Sequence, residues 1–514
     1  MFAKKITKTL ILFLAALLML PPSWAQAAEQ KPAHVLLIYD SLAKGTSREG
    51  NIEALQRLLA SYGTKVTLTT FNSYKKGTLQ QYTNVIGIGN ADDLAIISQE
   101  YISDFQTFEG SYLHIGAHIP EKVKTQLDIQ TRTEDKETVL LSIGQFSQPS
   151  LPVHNITRIV QASGTAYGSI SSAGGDKQSP YAVRDDRLAY IPYFEQGNLS
   201  ELAMAFLLKD WLHADGQKHT YLIFKEVYPF SDLRRLEQLA DKLYDAGIPF
   251  IVSIRPVFSN TDYPAMKRYL ETLKYVQARN GSILVNAPVV ASAISQNDQN
   301  LKAQMESFVD VLADNGIAPL GMGAEMYWSY DRKYTADAMG FFNSGILFPN
   351  EKLMYKSRSD SSEPFTSSMY SLKMSFLKQF KRSGKALGEF PMNMAITYDF
   401  FKDKTQLDQA VQELVDSWIT FADYKYGYHE VRTQANTISS RNGSLLINGH
   451  NVDLNNSVKS ISSDYTYRQE EQKSFTALFN VQNKIFITFI LMTLIAFGIF
   501  IIIGHRLYKR KYFK

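Results

Sequence analysis

The sequence predicts an α/β protein that ends in a membrane-spanning helix, and three observations carry that expectation. Short apolar runs bounded by turns alternate with segments of helical period over residues 34–120, and they do so again over residues 220–400. Ile485 to Ile503 is an uncharged apolar run, long enough to cross the roughly 30 Å of bilayer hydrocarbon as a helix. Cysteine is absent, so neither disulfides nor thiolate ligands support the fold. Stability must come from a large core, which about 450 residues in two or more domains can supply.

The two ends predict a topology. Lys4, Lys5 and Lys8 precede the apolar stretch from Leu10 to Leu20, and Pro21, Pro22 and Ala25-Gln26-Ala27 follow it. A basic start, a short apolar stretch and a small-x-small exit predict an export signal over residues 1–27. After the run at 485–503, the tail 504–514 carries Arg506, Lys509, Arg510, Lys511 and Lys514 and no acidic residue. Basic flanks stay on the cytoplasmic side. The expected localisation is the cell membrane, crossed once, with the ectodomain extracytoplasmic and the C-terminus in the cytoplasm. The chain has 54 basic and 50 acidic residues, net +4. Without the three signal lysines and the five tail cations, 46 basic residues face 50 acidic ones, net −4. That sign predicts no nucleic-acid partner.

Residues 28–150 predict an N-terminal parallel α/β domain. HVLLIYD, KVTLTTF, NVIGIGN and SYLHIGA are strand-like, and Ile52, Leu55, Leu58 and Leu59 lie at helical spacing before Gly63. The pattern is flavodoxin-like or amidotransferase-like. Asp40, Ser41 and Asn90 fall at strand ends, where such sheets bind ligands. There is no phosphate-binding glycine loop and no cysteine nucleophile, so a structural or ligand-binding use is expected here, not catalysis. Residues 151–218 are turn-rich with short aromatic strands, a β-rich connector in which His154 is a surface residue.

A longer α/β unit spans 219–425. TYLIFKEVYPF, IPFIVSIRP and SILVNAP are strands, joined by amphipathic helices such as DLRRLEQLADKLYDAG. PLGMGAEMYW, SGILFP and FPMNMAITYDFF are later strand candidates. Repeats of this kind predict a (β/α) barrel whose working groups sit where the strands end. Residues 426–480 are expected to form a β-hairpin segment and a stalk, with Asn448-Gly449 at a turn.

The stretches YLIFKEVYPF, DLRRLEQLADKLYDAGIPFIVSIRP and NGSILVNAP resemble the polysaccharide deacetylase-like (NodB-like) superfamily. The likeness is best over Thr220–Pro288, and most specific at GIPF followed by a strand and a proline. The signal, N-terminal domain and terminal anchor are similar to a secreted, membrane-anchored branch of it, the YdaL-like proteins. The resemblance implies a deacetylase-type barrel with a metal held by an aspartate of a pair after strand one and by two histidines after strand three. This chain departs from that pattern. Lys225 and Glu226 stand at the aspartate pair, Asn286 at the first histidine and Val290 at the second. An asparagine amide is a poor ligand for a borderline metal and valine is none. HIGAH at 114–118 lies on a strand and its exit, a structural placement. No metal and no cofactor is therefore expected.

Glu226, Arg255, Asn286, Glu325 and Asp399 remain as polar strand-end residues, with Lys225 beside the first and Tyr327, Trp328 and Tyr330 after Glu325. Three readings follow. The first is a degenerate deacetylase-like domain that binds, or assists processing of, an extracellular or cell-wall polysaccharide. Lys225, Arg255, Asn286, Tyr327 and Trp328 would contact the glycan, and the partners would be membrane-bound polysaccharide synthesis or export proteins. The second is a metal-independent glycoside hydrolase or lyase with catalytic carboxylates drawn from Glu226, Glu325 and Asp399. The third is a deacetylase with unusual metal ligands.

Overall fold

The computed structural model describes residues 33–512, apart from 92–97, 136, 173–177, 289–299, 327–330, 351–360, 363–366, 384–389 and 455–474. The expected export signal thus lies outside the described residues, as do Tyr327, Trp328, Val290 and most of the expected stalk. Residues 1–462 and 463–514 form two compact units. The architecture is α/β, with an N-terminal mixed sheet, a closed seven-stranded parallel barrel and a long apolar C-terminal helix.

Strands β1 (His34–Tyr39), β2 (Lys65–Thr70), β3 (Asn84–Gly89) and β4 (Ser111–Gly116) run parallel in the order β2-β1-β3-β4. Four consecutive residues of HVLLIY are buried, because both faces of a central parallel strand are covered. The sheet continues beyond β4. β11 (Leu188–Ile191) joins it in parallel, and β10 (Gln178–Arg184), β9 (Thr165–Ser172), β6 (Glu137–Ile143) and β7 (Phe146–Val153) follow antiparallel. β5 (Gln130–Glu134) and β8 (Ile156–Gln161) form a separate pair. The edge positions of the large sheet are taken by two-residue strands from the barrel's loops. β17 (Ser361–Ser362) pairs with β2, and β19 (Lys381–Arg382) pairs with β7.

The helix Asn51–Ser61 has every residue buried, its polar ones included. Its apolar positions Ile52, Leu55, Leu58 and Leu59 belong to the main core, as the spacing predicts. Its polar side meets the barrel instead of water. Arg57 donates to the Tyr370 hydroxyl at 3.3 Å and to the Ser371 carbonyl at 3.4 Å, and its guanidinium lies 4.7 Å from the centre of the Tyr370 ring. The Tyr370 hydroxyl donates in turn to Glu201 at 2.7 Å. Glu53 accepts from the backbone and side-chain amides of Asn350 at 3.1 and 2.9 Å. Burial pushes the Glu53 carboxyl up, while the Arg57 charge and the Asn350 hydrogen bonds pull it down by less.

The barrel closes in the order β12 (Thr220–Val227), β13 (Phe250–Ile254), β14 (Gly281–Asn286), β15 (Pro319–Glu325), β16 (Ser344–Phe348), β18 (Ser367–Lys373) and β20 (Met394–Asp399), which returns to β12. This is consistent with a deacetylase-type barrel. The helix Leu233–Asp245 turns Leu233, Leu236, Leu239, Ala240 and Leu243 inward, and Asp232 caps its start by accepting from the Arg235 N–H. Beyond the barrel, β21 (His429–Arg432), β22 (Thr437–Arg441), β23 (Ser444–Ile447) and β24 (His450–Asn451) form an antiparallel meander. The sequence carries the tripeptide Arg-Asn-Gly at 279–281 and again at 441–443, and the two copies do different work. Asn442-Gly443 and Asn448-Gly449 both have left-handed backbones, the geometry of tight hairpin turns. Asn280 is left-handed at the exit of the helix Pro264–Ala278 and feeds β14.

Two buried histidines predict an acid sensitivity. His114 is enclosed beside Tyr112 and bonded to the Ala117 carbonyl. His429 ties the meander to the barrel through Ser344, at 2.7 Å. Burial lowers each to about 4, against weaker upward pulls from their carbonyl partners. In the unfolded chain both take a proton near pH ~6.5. Below that pH the unfolded state binds more protons, so stability falls as pH drops toward the folded-state values. The expected loss between pH 7 and 5 is on the order of 2 kcal/mol per histidine. Denaturation midpoints across that window measure it, and His114→Gln and His429→Gln should each flatten the slope.

The second unit contains the helix Phe475–Tyr512. Its segment Lys484–Arg510 is long and apolar enough to cross a membrane, and the apolar side chains along it are exposed.

Candidate functional site

Parallel strands deliver their last residues to one end of the barrel, and the sequence places polar groups there. Strand β12 buries the run from Thr220 to Phe224 and then bulges. Its register against β13 shifts between Phe224 and Val227, and Glu226 sits at φ 64°, a left-handed backbone without a glycine. Such strain costs on the order of 1–3 kcal/mol and persists where the surroundings impose it. Here the bulge aims Glu226 at Arg255, the residue after β13.

Arg255 organises the mouth. Its Nη2 lies 2.8 Å from Glu226 Oε1 and 3.7 Å from Glu325 Oε1, and its Nη1 donates to the Ala287 carbonyl at 2.9 Å. Its side chain is 11% exposed, against 33% for Glu226 and 18% for Glu325. Burial alone pushes the Arg255 guanidinium down. The hydrogen bond to Glu226 and the charges of Glu325 and Glu226 outweigh that and raise it. One cation thus bridges two carboxylates. A glycosidase pair needs a sugar oxygen between its carboxyl groups, and the guanidinium occupies that position.

Asn286 lies beside this group at the end of β14 and is buried. Its Oδ1 accepts from Ser253 Oγ at 2.7 Å, and its Nδ2 has no partner among the described residues. A buried amide donor left unpaired costs on the order of 1–3 kcal/mol, so a ligand or water oxygen suits the position. Gly323 on the neighbouring strand leaves room for the amide, since a Cβ there would come within 2.6 Å of Asn286 Oδ1. Tyr334 closes the floor by donating to the Pro288 carbonyl at 2.6 Å. Burial, reinforced by the Glu325 charge, holds its hydroxyl protonated well above the usual range.

The remaining expected residues lie elsewhere or differently. Lys225 turns its ammonium over the Phe348 ring, 4.4 Å from the ring centre. Asp399 pairs with Lys373 at 3.6 Å, both side chains largely exposed, in a recess of about 280 Å³ shared with Tyr398 and Glu413. Tyr327 and Trp328 lie outside the described residues. Aromatic surface is present nevertheless. Phe230, in the loop after β12, is 60% exposed and stacks on Tyr228 at 4.8 Å. Phe258 and Tyr263, in the loop after β13, are also exposed. The sequence held signals for these. Ser253 interrupts the apolar run FIVSI, and Tyr228 and Phe230 directly follow the strand-end Lys225-Glu226.

The donor set does not fit the metal that the resemblance implies. The Arg255 cation already lies against Glu226, where a divalent ion would need an unopposed carboxylate, and the Asn286 carbonyl oxygen is taken by Ser253. Among the described residues no group of three or more His, Cys, Asp or Glu is placed to hold a metal ion. No family model matches the chain, and no curated protein matches it.

Proposed function

We propose that this chain is a membrane-anchored, extracytoplasmic protein of the deacetylase-like superfamily whose barrel mouth binds an extracellular or cell-wall polysaccharide. The observation that carries this reading is the joining of hydrogen-bonding groups with exposed rings. The Glu226–Arg255–Glu325 bridge and the Asn286 amide offer fixed donors and acceptors to sugar hydroxyls, and the Tyr228–Phe230 stack beside them offers a face to a sugar ring. The C-terminal helix supplies the anchor. Its basic tail favours a cytoplasmic C-terminus, and in this reading the barrel lies outside, near membrane-bound proteins that make or export the polysaccharide.

The test is glycan binding by the full-length protein in detergent micelles, with N-acetylglucosamine oligosaccharides, their deacetylated forms and neutral glucan oligosaccharides as probes. Phe230→Ala is expected to weaken binding of the preferred probe by about tenfold, the worth of one ring-stacking contact, without altering the denaturation midpoint. Failure of every probe to bind overturns the proposal. So does acetate release that requires added zinc and stops with chelator. Glycan release abolished by Glu226→Gln or Glu325→Gln would move the site to the hydrolase reading.

A further inference from the structure

The N-terminal sheet carries a second cleft, remote from the barrel mouth in its residues. Strand β1 connects onward to β2 on one side and its neighbour β3 connects onward to β4 on the other, so the connections leave the adjacent C-terminal ends of β1 and β3 in opposite directions. Crevices at such points are where open α/β sheets take ligands. A cavity of about 780 Å³ lies there, lined by the loop after β1, the start of the loop after β3, and His154 and Glu195 from more distant segments.

The strand-end residues expected to be ligand groups form the frame of this cleft. Asp40 accepts from the backbone N–H groups of Ser41, Asn90 and Ala91, which fixes the two loops against each other. Asn90 is buried and donates from its amide to the Ser41 carbonyl at 3.1 Å, while Asn51 bridges Asn90 Oδ1 and the Phe194 carbonyl. Arg48 donates to the Asn90 carbonyl at 3.2 Å. What this frame presents to the cavity is different in kind. Lys44 and Arg48 bring positive charge, Ser41, Thr46 and Ser47 bring hydroxyls, and Glu195 faces them as the acidic wall member.

We infer that this cleft binds a small sugar-like polyol that carries one anionic group. Lys44 and Arg48 would take the phosphate or carboxylate, the loop hydroxyls would hydrogen-bond to it, and Glu195 would accept from sugar hydroxyls at the far side. The volume suits one or two sugar rings. The proposal is independent of the barrel site, because the two share no residue.

The experiment is calorimetric titration of the full-length protein in micelles with four probes: glucose 6-phosphate, glucuronate, inorganic phosphate and glucose. One or both anionic sugars should bind while glucose does not, and the affinity should fall as salt is raised. Which of the two sugars binds separates a phosphorylated source from a carboxylated one. Lys44→Gln changes an exposed side chain, so it should leave the fold intact, and it should cost about tenfold in affinity. Arg255→Met should cost nothing here. The inference is overturned by no probe binding at millimolar concentration, by glucose binding as well as its phosphate, or by affinity unchanged in Lys44→Gln. Inorganic phosphate alone binding would reduce the cleft to an anion site and also overturn it.

Discussion

Replacing Arg57 by alanine is expected to destabilise the globular unit by about 3–5 kcal/mol, the usual penalty for removing one partner from a buried polar network. Arg57 is 6% exposed and stands among groups that have no water to fall back on. Its loss would leave Glu53 and Glu201 without the one cation that the helix brings into the junction, and would remove the flat partner of the Tyr370 ring. The double variant Arg57→Met with Glu53→Gln should recover much of the loss, since a neutral pair of similar volume no longer strands a charge. Urea denaturation of the three proteins measures both quantities. A single-variant loss below about 1 kcal/mol would mean that water reaches the junction, with exposed ion pairs as the comparison.

Arg255→Met is expected to abolish glycan binding at the barrel mouth and to lower stability by about 2–3 kcal/mol, a figure discounted for the partial exposure of Glu226. Both effects have one origin. The guanidinium holds Glu226, Glu325 and the Ala287 carbonyl at once, and without it the carboxylates of β12 and β15 are left with no cation between them at the barrel mouth. Arg255→Lys should rescue little, because an ammonium is a compact point charge and cannot reproduce a planar fork that donates to Glu226 and the Ala287 carbonyl while facing Glu325. Binding titration together with denaturation separates the outcomes. Full binding by Arg255→Lys would show that charge alone suffices and that the fork geometry is not used.

The barrel was legible because several of its strands are nearly continuous apolar runs. FIVSI and SILV leave no alternative to strands buried on both faces, and the helices between them carry a leucine stripe at the right period. β18 has no counterpart among the strands expected from the sequence. SSMYSLK has serines where its neighbours have aliphatics, and only closure of the ring gives it a place. The two-residue strands β17 and β19 have no local signal at all, because their pairing is decided by distant chain segments. Of the site, Glu226, Arg255, Asn286 and Glu325 could be listed from strand ends. Their convergence could not, since it depends on the bulge at Glu226, and a left-handed glutamate has no sequence signature. Asp399 shows the converse. It ends a strand just as Glu226 does, yet its carboxylate meets Lys373 and lies in another recess.

The pairing of β17 with β2 and β19 with β7 bears on how the molecule is made. Ser361 meets Thr67 across a sequence separation of roughly 290 residues, and contacts of that range are slow to form because a long loop must close first. During synthesis from the N-terminus, the first strands of the sheet would wait with bare edges until the chain beyond residue 382 had emerged. Bare edges recruit other strands. The nascent chain therefore has its greatest need of a holding chaperone between the completion of β11 and the arrival of β19. The sheet cut out of this chain without β17 and β19 would carry the same vulnerability permanently.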